Sequence, residues 1–290
     1  MARLSGIYLP VITPFHEGEV DFESYITLLN YYKKKDISGF IPLGTTGESP
    51  CIDDDEFESI IRITLETLDG QFPVFAGIGG NYTDHVIKKI RKYETSGING
   101  ILSVCPYYNR PDQNGLYRHF EKISESTDLD IIIYNIPYRT GVNMSNDTLL
   151  RLSEFKNIIG VKDSSGDIRQ SLELISKKPD GFSVLTGEDS LFFTSVANGG
   201  DGGVLASAHL YTDEFINVFK LLKNNDLHGA LGISRRIEPI IPLLFREPNP
   251  APLKYCLASL NLIRSPETRL PLWKISMDLQ KELDRQGFSS

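Results

Sequence analysis

A chain of 290 residues with 40% hydrophobic content can bury one large α/β core or two ordinary ones. Its formal net charge of −8, with no Lys/Arg-rich run, argues against nucleic-acid binding, which needs a basic surface to neutralise phosphates. No segment approaches ~18 consecutive apolar residues and no cleavable leader is evident, so a soluble cytoplasmic protein without membrane partners is expected.

Short apolar runs punctuate the chain, each closing in polar or glycine-containing sequence. The first, GIYLPVITPF (6–15), precedes an amphipathic helix over Phe22 to Lys35, with Tyr25, Leu28, Leu29 and Tyr32 on one face. The second, GFIPLGTTGES (39–49), leads to a helix over Glu56 to Leu68 that Asp53 is placed to cap. FPVFAGIGGN (72–81), GILSVCPYYN (100–109), DIIIYNIPYRTG (130–141), IIGVKDSSG (158–166), FSVLTGEDS (182–190) and GGVLASAH (202–209) follow, with helical patterns between them. Eight strand candidates at a repeat of mostly about 25–32 residues match βα units, and eight such units predict a (β/α)8 TIM barrel. A doubly wound sheet is the alternative, but no G-x-G-x-x-G opens a helix after the first strand.

Beyond the eighth run only helical patterns remain, over 212–223, 226–243, 251–258 and 273–286. The expected division is a barrel over residues 1–210, then a closing helix and helical appendage over 211–290 packed on it. GGDGG (199–203) precedes its strand and therefore reads as a turn on the face opposite an active site.

In such a barrel the chemistry belongs just after each strand. Lys162 ends a run buried on both faces. It is either a snorkelling side chain or a desolvated amine serving as a nucleophile. GTTGES (44–49) supplies two glycines, the Thr45 and Thr46 hydroxyls and backbone N–H groups. That composition makes either a tight turn or a carboxylate cradle. Tyr108 and Tyr134 are packing residues or functional phenols, and Arg139 is a surface cation or a bidentate carboxylate clamp.

Cys51, Cys105 and Cys256 form no C-x-x-C pair, the five histidines show no ligand spacing, and the acidic run 53–56 suits a helix N-terminus. Neither a metal nor another cofactor is expected.

GTTGES, PYYNRP, YNIPYRTG, IIGVKDSSG, LTGED and REPNPAPLK occur in the order found in the dihydrodipicolinate synthase/N-acetylneuraminate lyase family of class I aldolases. The resemblance covers roughly residues 4 to 288, and PYYNRP, Arg139 and EPNPAPLK are most similar to its synthase branch. It implies that Lys162 is the Schiff-base lysine for pyruvate and that Tyr134, Thr45 and Tyr108 form a proton relay. Thr46 would hold the pyruvate carboxylate, Arg139 the carboxylate of aspartate semialdehyde, and Gly187 and Val204 would line the pocket. A homo-oligomer, dimer or tetramer, is implied too, with Tyr108 donated across the interface.

The chain departs from the synthase pattern at Tyr138, where a small residue is usual, at Asp163 in place of glutamate, and in GGVLASAHL. Other readings are a family aldolase or dehydratase acting on a sugar acid or hydroxy-oxo acid, and a non-catalytic oxo-acid binder. Some synthases bind lysine as a feedback inhibitor. Ser49, Asn81 and Tyr107 match that site, but His85, Asp54 and Phe57 replace its glutamate and histidines, so weak or absent feedback is expected.

Overall fold

The computed structural model describes residues 4–288. Among the described residues ten strands form: β1 (Gly6–Leu9), β2 (Phe15–His16), β3 (Glu19–Val20), β4 (Gly39–Phe40), β5 (Phe75–Gly77), β6 (Gly100–Val104), β7 (Asp130–Asn135), β8 (Ile158–Asp163), β9 (Ser183–Thr186) and β10 (Gly202–Val204). Eight are parallel members of one sheet and alternate with helices along the chain, the (β/α)8 barrel that the apolar runs predict. Only β2 and β3 stand apart, as an antiparallel hairpin. Its turn, Glu17-Gly18, has positive φ at both residues (52° and 85°), the conformation that suits a two-residue hairpin.

The chain divides into two compact units, one of residues 4–6 and Val74–Val204, the other of Ile7–Pro73 and residues 205–288. In the first, β5 to β10 lie side by side in chain order, all parallel. Their interior is continuous apolar sequence: Ile131, Ile132, Ile133, Val161 and Leu185 are fully buried, as strands covered on both faces require. The pairing register sets Tyr134 opposite Lys162 and Asn135 opposite Asp163 at the carboxyl ends of β7 and β8. GGDGG begins as a turn before β10, as expected, and its last two residues enter the strand. A Cβ on Gly202 would run into the Gly6 carbonyl, so that position takes glycine. Asp201 in the same turn pairs with Lys178 at 2.7 Å and accepts the Val184 N–H.

In the second unit β1 pairs with β4, and the helices Phe22–Tyr32 and Asp54–Leu68 pack together, joined by a buried Tyr25–Thr64 hydroxyl contact of 2.7 Å. Asp53 caps the second of these helices in a reciprocal box with Glu56. The carboxylates there do more than favour the helix dipole, because Glu56 also forms a two-pronged ion pair with Arg269. The C-terminal helices are Thr212–Lys223, Leu227–Ile237, Ile241–Arg246, Ala251–Ser259 and Met277–Arg285. The pattern over 226–243 is two helices, since Pro242 cannot continue a helix but suits a first turn. The last helix starts at Met277, where Ser276 caps it. Among the described residues no helix is long and apolar enough to cross a membrane.

Candidate active site

Lys162 is the penultimate residue of β8 and is only 6% exposed, so it does not reach water in the manner of a snorkelling lysine. Its ammonium nitrogen lies 4.2 Å from the centre of the Tyr134 ring on the adjoining strand. Burial pushes the Lys162 amine down to about 8; Asp189 and Glu188 oppose this, and Arg139 reinforces it. A pKa near 8 leaves roughly a tenth of the amine neutral at pH 7, against about one part in 3,000 for an ordinary lysine. Such an amine can add to a ketone, and the adjoining phenol can carry protons.

Gly187, just beyond β9, makes room for it. A Cβ at this position would collide with Ser164 Oγ and come within 2.6 Å of Lys162 Cε. Gly187→Ala should therefore displace the lysine, costing about 1–3 kcal/mol by overpacking and most of the turnover. Parallel thermal-unfolding and activity measurements check this; parent-like activity would mean that Lys162 needs no such space. Val204 is buried at the end of β10.

The same unit carries groups that strand-end reasoning passed over. Burial, then the charge of Asp189, pushes the Glu188 carboxyl up to about 7, while Lys162 pulls it down. Ser164 lies close enough to lower it as well, yet Ser164 Oγ and Glu188 Oε1 are buried without a hydrogen bond of ordinary geometry. Their signal was present in KDSSG and LTGED, where acids and hydroxyls directly follow two strands. Asp163 is committed elsewhere: its carboxylate accepts the Ser165 N–H and the Ser171 hydroxyl, tying β8 to the next helix.

Arg139 sits in the short helix Pro137–Thr140 after β7 and is exposed, its guanidinium 5.6 Å from the ring of Tyr138, itself 65% exposed. The side chain at the departure from the synthase pattern thus stacks with the arginine. Tyr108, after β6, is 89% exposed and has a φ of 73°, a left-handed conformation costly for a tyrosine. The loop around it is anchored, with Asn109 donating to Asn81 O at 2.8 Å and Arg110 to Gly141 O at 3.1 Å.

In the second unit, the Gly44–Glu48 loop is a pair of tight turns closed by Gly47 N–H to Gly44 O and Glu48 N–H to Thr45 O, both 3.1 Å. Thr45 is half-buried and Thr46 buried. Asn249 donates to Thr46 Oγ1 at 3.1 Å, which leaves the Thr46 hydroxyl proton to be given elsewhere. Glu48 is paired with Lys254 at 2.5 Å, both side chains fully buried. REPNPAPLK thus meets GTTGES in space, a link that neither motif reveals alone.

A (β/α)8 barrel with a partly neutral buried amine beside a phenol fits a lyase that acts on carbonyl substrates. The chain belongs to the dihydrodipicolinate synthetase family, whose model matches residues 3–286. It is 52% identical over 283 residues to 4-hydroxy-tetrahydrodipicolinate synthase 2 of Clostridium acetobutylicum, covering 98% of this chain and 99% of that one. The crystal structure of dihydrodipicolinate synthase from Thermotoga maritima is similar, with a TM-score of 0.95 and 36% identity over 99% of this chain and 100% of that one. A monomeric dihydrodipicolinate synthase variant matches equally well, with a TM-score of 0.95 and 36% identity over 99% of this chain and 98% of that one.

Proposed function

We propose that this chain condenses pyruvate with L-aspartate 4-semialdehyde to give 4-hydroxy-tetrahydrodipicolinate, a step toward diaminopimelate and lysine. The observation that carries the reading is Lys162: a buried strand-end amine with its pKa at about 8, seated over Tyr134. Its Nζ attacks the pyruvate keto carbon, and loss of water leaves an iminium. The iminium withdraws electrons from the methyl carbon, which gives up a proton to form an enamine. That carbon attacks the aldehyde, forming the new C–C bond. The amino group of the second substrate then displaces Lys162 from the former keto carbon and closes the ring.

Tyr134 moves the protons, with Thr45 and Tyr108 as its relay. Thr46 and the loop N–H groups hold the pyruvate carboxylate, Arg139 holds that of the semialdehyde, and Gly187 and Val204 line the pocket. No cofactor is called for, because the iminium is itself the electron sink. The resemblance to the family implies a homo-oligomer, dimer or tetramer, and Tyr108, exposed and held in a strained conformation, suits donation to a second copy. The cytoplasm is the proposed location. The proposed division keeps residues 1–210 as the barrel strands and most barrel helices, and 211–290 as the closing helix and a helical appendage.

The test is an assay of purified protein with pyruvate and a panel of aldehydes. Aspartate semialdehyde should be used best; preference for a sugar-derived aldehyde would move the chain to another branch of the family.

Feedback by lysine should be weak. His85 is exposed with its ring 4.5 Å from that of Tyr82, and it cannot replace a carboxylate as partner for an ammonium group. Phe57 is fully buried, which leaves no polar group at that position. A lost charge-assisted bond is worth roughly 1.5–3 kcal/mol, or about 10–100-fold in affinity. An inhibition titration should show no effect at sub-millimolar lysine; tight inhibition there would contradict the assignment of these positions.

A further inference from the structure

Glu48 and Lys254 raise a question that the reaction leaves open. Both side chains are fully buried and 2.5 Å apart, yet a buried ion pair is a poor source of stability, since desolvation offsets most of the attraction. Apolar residues of the same volume would often serve as well. The pair stands instead where the backbone needs holding. Leu43 and Glu48, at either side of the Thr45–Thr46 turn, both have positive φ (61° and 51°), which favours glycine and is uphill for either side chain.

The remaining contacts converge on the same loop. Thr13 donates its hydroxyl to Gly47 O at 2.7 Å, and the Arg269 N–H reaches Glu48 Oε2 at 3.1 Å. Lys254 is itself fixed: it donates to Glu267 O at 2.8 Å and lies 4.1 Å from the centre of the Phe15 ring. Asn249, five residues before Lys254, holds Thr46 Oγ1 from the same segment. One segment therefore grips the loop at two points, by backbone placement through Glu48 and by side-chain orientation through Thr46.

We propose that Lys254 is a positioning residue: through its buried ion pair with Glu48 it holds the strained Gly44–Glu48 loop so that the Thr46 O–H faces an incoming carboxylate. This rests on the reading of Thr46 as a ligand of the pyruvate carboxylate. Lys254 touches no reacting atom. It acts on substrate binding and leaves the chemistry of Lys162 alone.

Lys254→Met alone strands a buried carboxylate and is open to misfolding, so the decisive protein is the double variant Glu48→Gln/Lys254→Met, which removes both charges together. Three readouts are taken on the full-length protein: thermal unfolding, amide hydrogen exchange over residues 44–49, and the pyruvate concentration that half-saturates borohydride trapping at Lys162. The double variant should unfold near the parent's temperature while its loop amides exchange at least about tenfold faster and half-saturation rises at least about tenfold. The trapping rate at saturating pyruvate should stay close to the parent's. Lys254→Arg, which keeps the charge, should recover part of the loop protection.

Parent-like exchange and half-saturation in the double variant would overturn the proposal and reduce the pair to packing. If the parent itself traps no pyruvate, the reading of the site fails and takes the carboxylate role with it. Exchange over 44–49 then still decides whether the pair anchors the loop.

Discussion

Replacing Lys162 with methionine should leave a folded protein that condenses nothing and is more stable than the parent at neutral pH. The loss follows from the chemistry, because methionine cannot add to a carbonyl; turnover should fall by at least ~10³-fold, as for removal of other covalent nucleophiles. The gain in stability follows from linkage. The folded-state pKa of about 8 lies below the ordinary 10.5, so between these values the unfolded chain holds a proton that the folded chain releases. Stability in the parent thus rises as the pH climbs from about 8 to 10.5. Below pH 8 both states are protonated, and the burial of the charge is felt in full, on the order of 3 kcal/mol.

Methionine fills a similar volume without the charge, so denaturation at pH 7 should show a variant stabilised by part of that amount, the gap narrowing toward pH 10.5. Lys162→Arg should be as inactive, because a guanidinium stays protonated. A destabilised methionine variant would mean that the ammonium is well solvated or paired in the fold, and retained turnover would remove Lys162 from the mechanism.

Arg139→Ala should lower kcat/KM for aspartate semialdehyde by about 10–100-fold while leaving pyruvate trapping in place. A bidentate guanidinium–carboxylate contact is worth roughly 1.5–3 kcal/mol. Exposure of the arginine favours the lower part of that range and makes the contact salt-sensitive. Loss of the guanidinium also exposes the face of Tyr138 that it covers. A second effect separates this from a general disturbance. Burial dominates the depression of the Lys162 pKa, but the Arg139 charge adds to it, so the acid limb of the trapping rate should move to higher pH in the variant. Arg139→Lys should keep the charge effect and lose the bidentate contact. Unchanged semialdehyde kinetics in Arg139→Ala would favour a second substrate without that carboxylate.

The readable part of this chain was what local patterns encode. Eight apolar runs marked eight parallel strands, and the cap at Asp53 belongs to the same short-range grammar, whereas the cap at Ser276 was not read and that helix was begun at 273. Lys162 stood out because a charged residue at the end of a doubly buried strand is a local anomaly, but the run by itself fits a snorkelling side chain as well as a nucleophile. The hairpin of β2 and β3 was not separated from the first run, since two-residue strands leave almost no periodicity. Pro242 was passed over inside an otherwise continuous helical pattern.

The interactions that escaped are those between distant segments. Thr46 and Asn249 are 203 positions apart, Glu48 and Arg269 221, and Glu56 and Arg269 213. No period or spacing links such partners; only the folded backbone brings them together. Ser164 and Glu188 were missed for a different reason. Each looks like ordinary turn chemistry until burial leaves its oxygen without a hydrogen bond of ordinary geometry.

The most direct test of the account is reduction by borohydride in the presence of pyruvate, followed by peptide mass spectrometry. Inactivation should be irreversible and require pyruvate, with a single reduced adduct on Lys162 and none in Lys162→Met. An adduct on another lysine, or a protein that remains active and unlabelled after treatment, would contradict it.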